Sequence, residues 1–444
     1  MNPTSGKSAI SIEDASAADR LYALVANEED ARSCSDISDA ACRVVPGNFF
    51  RIIGANTLSK IGDLLINPKT VLAWLIVAVG APPALVGVLV PIRESGSLIP
   101  QLAIGAWVRR HPVRKWFWVG GAVAQGLSVL AMGAAVWLLD GLAAGLVIIA
   151  LLALFSLSRG FCSVAMKDVQ GKTVPRARRG RLAGLAATLS GLATLLVGLL
   201  LFGGGEDPAM RFYAMLLLGA GLCWLLAAAL FARVDEYAGE TGGGGHALRD
   251  AWRSLRLLVD DAPFRNFVIA RALLMASALG SPFVVTLAQR QADGAAMLGG
   301  FVVASSLAST LSASIWGYLA DVSSRQVMLR AGALAALICL LTAALAIADP
   351  AWSGTAWIYP LAFFVLAIAH AGVRIGRKTY LVDMAGGNKR TDYTAVSNTV
   401  IGVLLLVVGV LSAAVALLGP AWALIVLGGM GALGSFWSSR LPEA

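Results

Sequence analysis

Twelve apolar stretches partition this chain, at about 54–79, 83–107, 115–138, 142–166, 182–202, 209–232, 264–289, 295–319, 326–348, 355–376, 395–418 and 420–438. A helix of about 20 apolar residues crosses a bilayer's hydrocarbon core. In that solvent each backbone N–H and C=O must be satisfied within its own segment. The chain is therefore confined to an all-α membrane bundle. Only 14% of its 444 residues are charged, against 58% hydrophobic, and mean hydropathy is +0.75; soluble domains are about a quarter charged. The net charge of +9 is no sign of nucleic acid here, because it is explained by where Lys and Arg fall.

Basic residues gather in alternate connections. Arg109, Arg110, Arg114 and Lys115 follow span 2, Lys167 to Arg181 hold six after span 4, Arg325 and Arg330 follow span 8, and Arg377, Lys378, Lys389 and Arg390 follow span 10. The intervening connections hold chiefly Arg211 and Arg290. By the positive-inside rule both termini are expected in the cytoplasm, in an inner or plasma membrane. Residues 1–50 form a polar tail without the apolar core of a signal peptide; 19–32 could form an amphipathic helix. Cys34 and Cys42 lie in this tail, as a regulatory thiol pair or, more plainly, as unpaired thiols. The connection 233–263 opens with the flexible-looking DEYAGETGGGGH and continues into ALRDAWRSLRLL, which has the apolar spacing of a surface helix. It separates a six-span half, 51–232, from a second, 264–444.

The halves repeat one another at an offset of about 211 residues: TLLVGLL (194–200) aligns with LLVVGVL (405–411), Lys60 with Arg271, Arg159 with His370, and Lys167 with Lys378. Parallel repeats about an axis along the membrane normal are one transporter plan, with the substrate held between them near the midplane.

Several spans carry charge that lipid would reject, at about 2.5–3.5 kcal/mol per group on insertion scales. In span 1, Asn56, Lys60, Asp63, Asn67 and Thr70 step by three and four residues and share a helix face. Pro68 is placed to kink the helix and keep Lys69 out of lipid. This stripe lines a pathway, or Lys60 and Asp63 form a structural i, i+3 pair. In span 2, Arg93, Ser97 and Gln101 share a face, with Glu94 one position off and Pro91 and Pro100 flanking. Arg93 and Glu94 either serve the pathway or lock helices by pairing with Lys60, Lys69 or Arg159. Arg159, His370 and Arg374 lie toward the basic ends of spans 4 and 10, and Arg271 about a third of the way into span 7. His370 suits a proton relay or packs as a satisfied histidine; Arg271 contacts solute or snorkels. Cations outnumber acids among these embedded groups, which favours an anion.

Gly317, Leu319, Ala320, Asp321 and Arg325 spell a Gly-x-Leu-Ala-Asp loop followed by a basic residue. On these residues the chain resembles the major facilitator superfamily over about 54–440. The resemblance implies a twelve-helix fold and a gate latch made by Asp321 and Arg325. The first-half copy keeps Gly105 but has Arg109 where the acid belongs, so that half needs another acid. Arg159 resembles the family's span 4 arginine, often tied to proton coupling. The Gly-Pro motif of span 5 in drug–proton antiporters is absent from 182–202.

The reading is a secondary transporter working by alternating access. It is expected to be proton-coupled through Glu94 or Asp63, to take a small organic anion or zwitterion, and to act as a monomer without cofactor or metal. No GxxxxGK[ST] loop and no nucleophile–base constellation points to ATP use or an enzyme. Two rivals stand beside it: export of an amphiphile, drug or lysolipid, and a non-transporting sensor or assembly factor on the same fold.

Overall fold

The computed structural model describes residues 22, 39–202, 210–239, 241, 255–291, 295–348, 357–384 and 389–443. Surface helices are expected over 19–32 and 247–258; of these, Tyr22 and 255–258 are described, the latter running into a short helix, Leu257–Asp260. Span 1 is split into α1 (Val45–Leu65) and α2 (Val71–Ala78), and span 2 into α3 (Val86–Leu98) and α4 (Gln101–Val108). Spans 3 to 6 are α5 (Lys115–Leu138), α6 (Gly141–Thr173), α7 (Arg176–Phe202) and α8 (Met210–Ala232). Span 7 is interrupted into α9 (Ala262–Leu274), α10 (Ala276–Leu279) and α11 (Ser281–Gln291). Spans 8 to 12 are α12 (Ala295–Val322), α13 (Ser324–Ala348), α14 (Ile358–Met384), α15 (Lys389–Ala416) and α16 (Pro420–Ser439).

Nine helical segments among the described residues are long and apolar enough to cross a membrane. The others of the twelve are the broken spans 1 and 2 and α7, whose apolar part, Gly184–Leu200, is shorter. The breaks have local causes. After Leu65 the backbone turns through Asn67, whose Oδ1 accepts the Lys69 N–H at 2.9 Å and whose carbonyl accepts from Thr70 and Leu72. Pro68 lacks the N–H that would continue the ladder. Pro100 ends α3 likewise, whereas Pro91 sits inside it. α14 runs to Met384, two turns beyond the expected end at 376.

Within the first half, α5 packs on α6 and α8, and α1 on α7 and α8; within the second, α13 packs on α14 and α16, and α12 on α14. The halves meet along two seams, α3 with α15 and α7 with α12, and at the end away from the basic loops, where α2 packs on α11. Without a hydrophobic force between helices in lipid, small residues permit the approach. A Cβ on Gly87 would lie 2.8 Å from Ala413 Cα, and one on Gly409 would lie 2.2 Å from Pro91 Cγ. Ser95 Oγ donates to the Gly402 carbonyl at 2.7 Å across the same seam. α1 and α4 pack on their own half, and α9 on the other. Packing between the halves is therefore concentrated along these two seams and at the α2–α11 end.

Three parts differ from expectation. The start of the 233–263 connection is pinned rather than flexible. Glu236, its side chain fully buried, accepts from the backbone N–H of Arg114 and Lys115 and from Lys172 Nζ, at 2.6 to 3.0 Å. A carboxylate at the first turn of α5 also meets the positive end of the helix dipole. Asp235 pairs with Arg51 at 2.7 Å. Second, Cys42 is disulfide-bonded, which corrects the plainer expectation of unpaired thiols there. It stands in a short helix, Asp39–Arg43, at the bundle's edge, not walled into a span like the free Cys162 and Cys339. Third, Arg325 is engaged with the C-terminal segment, pairing with Glu443 at 2.5 Å and donating to the Ser439 and Leu441 carbonyls. Asp321 is exposed, so the expected Asp321–Arg325 latch is not made in this state.

Candidate functional site

Asp63, in the last turn of α1, binds two arginines from other helices. It accepts from Arg93 Nη2 at 2.5 Å and Arg159 Nη1 at 2.8 Å, tying spans 1, 2 and 4 together. Arg93 is 5% exposed and lies over the Phe155 ring, 4.6 Å from its centroid, a cation–π contact strengthened by desolvation. The Arg93 Nε is buried without a partner. Arg159 keeps 38% of its side chain exposed, although it lies deep in the protein. Arg93 does pair across helices, but with Asp63, a partner that the sequence readings did not name. Asp63 in turn is bonded across helices, not to Lys60, which lies one turn away and interacts with it only at longer range.

Glu94 points the other way. It is solvent-exposed, yet enclosed by protein and under the charges of Arg159, Arg93, Lys69 and Arg377. A side chain that is both wet and surrounded by protein marks an aqueous cavity between the halves. Lys69, at the break in span 1, lies within electrostatic range of Glu94 and also of Arg374 and Arg377 of α14. Arg374 is exposed and Arg377 half-buried. Spaced by three residues, they share a face of α14 with His370. The cavity wall is thus built from Lys69 and Glu94 on one half and Arg374 and Arg377 on the other.

The remaining candidates are scattered. In the second half His370 Nδ1 lies 3.1 Å from Ser277 Oγ. Span 10 is therefore tied to span 7 there, as Arg159 and Asp63 tie span 4 to span 1. Arg271 does not reach a lipid interface: it is 7% exposed, hydrogen-bonded to Ser397 and, at 2.8 Å, to Asn398 Oδ1. Asn67 serves the helix break, Ser97 Oγ donates to the Glu94 carbonyl, and the Asn56 carbonyl accepts from Ser59. Gln101 and Lys60 are half-buried toward the basic end. Arg109 is exposed and donates to the Gly105 carbonyl, while Gly317 lies in the last turns of α12. Beside the first-half loop, Arg114 pairs with Asp168 at 3.0 Å, and Lys172 pairs with Glu236 at 2.8 Å.

Sequence reasoning missed Arg377, Phe155, Ser397, Asn398 and Glu236. Arg377 was legible as the next residue on the His370–Arg374 face; counting it with the loop hid it. Among the described residues no group of His, Cys, Asp and Glu is placed to hold a metal.

A model of the Major Facilitator Superfamily matches residues 55–403. The chain belongs to this superfamily. Its members are secondary transporters, not enzymes, and the protein is accordingly a multi-pass membrane protein. No curated protein matches its sequence. Solved structures share the fold at low identity. One is the nucleoside transporter NupG: TM-score 0.69, 12% identity, 88% of this chain and 99% of that one covered. Another is the inward open conformation of the xylose transporter XylE from E. coli: TM-score 0.60, 15% identity, 90% and 96% covered. A third is a peptide transporter, POT, in complex with alafosfalin: TM-score 0.60, 12% identity, 89% and 96% covered.

Proposed function

We propose that this transporter carries a small organic anion or zwitterion together with a proton, and that the structure is its inward-facing state, with both termini in the cytoplasm. The observation that carries the reading is the charge grouping at the cavity: Lys69 of one half lies within electrostatic range of Arg374 and Arg377 of the other, with Glu94 as the exposed carboxylate among them. A concave, water-filled site with a surplus of one charge sign concentrates ions of the other. Asp63 is committed to Arg93 and Arg159. That leaves Glu94 as the acid free to exchange a proton with the cavity. Protonating Glu94 releases the cations around it to a solute anion, so proton and anion bind together.

The test is uptake into proteoliposomes of a panel of organic anions, amino acids and neutral sugars under an imposed proton gradient. Wild type is expected to accumulate an anionic or zwitterionic solute down the proton gradient. Glu94→Gln is expected to equilibrate the same solute without responding to the gradient. Uptake restricted to neutral sugars or amphiphiles, or a gradient response intact in Glu94→Gln, would overturn the reading.

A further inference from the structure

The two walls of the cavity differ in how their cations are compensated. On the first half, Arg93 and Arg159 share Asp63, and the ion triad is closed. On the second half, α14 presents Arg374 and Arg377, and neither makes a hydrogen bond or ion pair with a described residue. The carboxylate bearing on Arg377 is Glu94, which is shared with Lys69, Arg93 and Arg159. Further cations stand behind: Arg271, held by uncharged Ser397 and Asn398, and Lys378, which lies under the charges of Arg374, Arg377, Lys167 and Arg271. Lys167 and Lys378 come from opposite halves, at equivalent positions of the repeat.

Five cations, Lys69, Arg93, Arg159, Arg374 and Arg377, thus surround the cavity against two carboxylates, Asp63 and Glu94. With both acids ionised the excess is three charges, and with Glu94 protonated it is four; a zwitterion leaves it untouched, and a singly charged anion removes only a third or a quarter of it. Alternating access requires the basic end to close, which draws the like charges of α6 and α14 together and strips water from them. Desolvating unpaired charges is costly unless opposite charge is brought in. Two guanidinium groups three residues apart on one helix face, opposed by an ammonium, also match the fork geometry that binds phosphate or carboxylate oxygens in pairs.

We infer that the solute is a doubly charged anion, a phosphate ester or a dicarboxylate, and that Arg374, Arg377 and Lys69 form the receptor for one of its anionic groups. This rests on the anion reading above and narrows it. The triad of Asp63, Arg93 and Arg159 is then a fixed strut of the first half, and the solute is the charge that lets the second half close against it. Inorganic phosphate and succinate are the smallest probes of the two chemistries.

The experiment is thermal unfolding of the purified full-length protein, followed by tryptophan fluorescence. Inorganic phosphate, succinate, acetate and glycine are compared at matched ionic strength, for wild type, Arg374→Gln, Arg377→Gln and Arg374→Lys. A ligand of the folded state raises its stability by mass action. Phosphate or succinate is expected to raise the wild-type midpoint by several degrees and acetate and glycine by much less; which of the two acts identifies the chemistry. Arg374→Gln and Arg377→Gln are expected to fold with midpoints at or above that of wild type, since like-charge repulsion is relieved. Each should need at least tenfold more dianion for the same shift, and Arg374→Lys should recover part of it. If acetate or glycine stabilises as well as the dianions, and the Gln variants match wild type, the doubly charged solute is wrong while a singly charged or zwitterionic one stands. If phosphate stabilises every variant alike, the ion acts away from this receptor and the inference falls. If no probe shifts wild type, the anion reading falls with it.

Discussion

Asp63→Asn is the sharpest perturbation of the bridge between spans 1, 2 and 4. The Asp63 carboxylate is the ion-pair partner of Arg93, whose side chain is 6% exposed, and of Arg159, 38% exposed. Removing one partner of a buried pair costs about 3–5 kcal/mol, because the other charge stays behind unpaired. Phe155 and the Glu94 charge still face Arg93, which places its share near the lower figure, about 3 kcal/mol. Arg159 is open to the cavity and adds less than about 1 kcal/mol after solvent screening. Domains of 150–250 residues lose roughly 2–4 °C per kcal/mol. The unfolding midpoint of Asp63→Asn should therefore fall by roughly 6–16 °C, measured by tryptophan fluorescence in detergent. The double variant Asp63→Asn/Arg93→Met should recover part of the loss, since an unpaired buried charge has been replaced by an apolar chain. A midpoint within a degree of wild type, or a double variant no better than Asp63→Asn, would refute the reasoning.

Other outcomes follow from the same contacts. Gly87→Ala places a methyl carbon 2.8 Å from Ala413 Cα, backbone that cannot rotate aside; the overpacking should cost about 1–3 kcal/mol, read as a lowered unfolding midpoint. Glu236→Gln removes the buried charge that holds Lys172 and the start of α5; proteolysis after Arg110 or Arg233 should accelerate while the far side of the bundle stays protected. Outside the membrane, burial and then the hydrogen bond to Asp261 push the Tyr393 phenol up from 10.0 to about 12. The fold therefore retains a proton there that the unfolded chain releases above pH 10, and stability should fall as pH rises from about 10 to 12. Tyr393→Phe should flatten that part of the pH–stability curve, as followed by unfolding midpoints.

The twelve spans were legible because bilayer thickness and backbone hydrogen bonding leave a long apolar chain few alternatives. The embedded charges were legible as a set, since each is costly in lipid, but their partners were not. Lys60 and Asp63 are neighbours by helical spacing, yet Asp63 bonds to Arg93 and Arg159, 30 and 96 residues away; only the packing of three helices brings them together. Glu236 was hidden for a different reason. DEYAGE reads as loop chemistry, and nothing local shows that its carboxylate lands on the first turn of α5. Arg325 pairs with Glu443, a residue near the C-terminal end that no spacing rule connects to α13. Arg377 shows the cost of ending α14 at 376: one further turn of helix moves a loop cation into the cavity wall.

In the proposed inward-facing state, two six-span halves rock about a cavity open at the basic end. The most direct measurement places spin labels in pairs across the halves, at 167 and 378 on the basic side and at 140 and 418 on the opposite side. Distance distributions are then recorded without solute and with phosphate or succinate. The account predicts that bound anion shortens the 167–378 distance and lengthens the 140–418 distance together. Both distances moving in the same direction, or both staying fixed with an anion shown to bind, would contradict it.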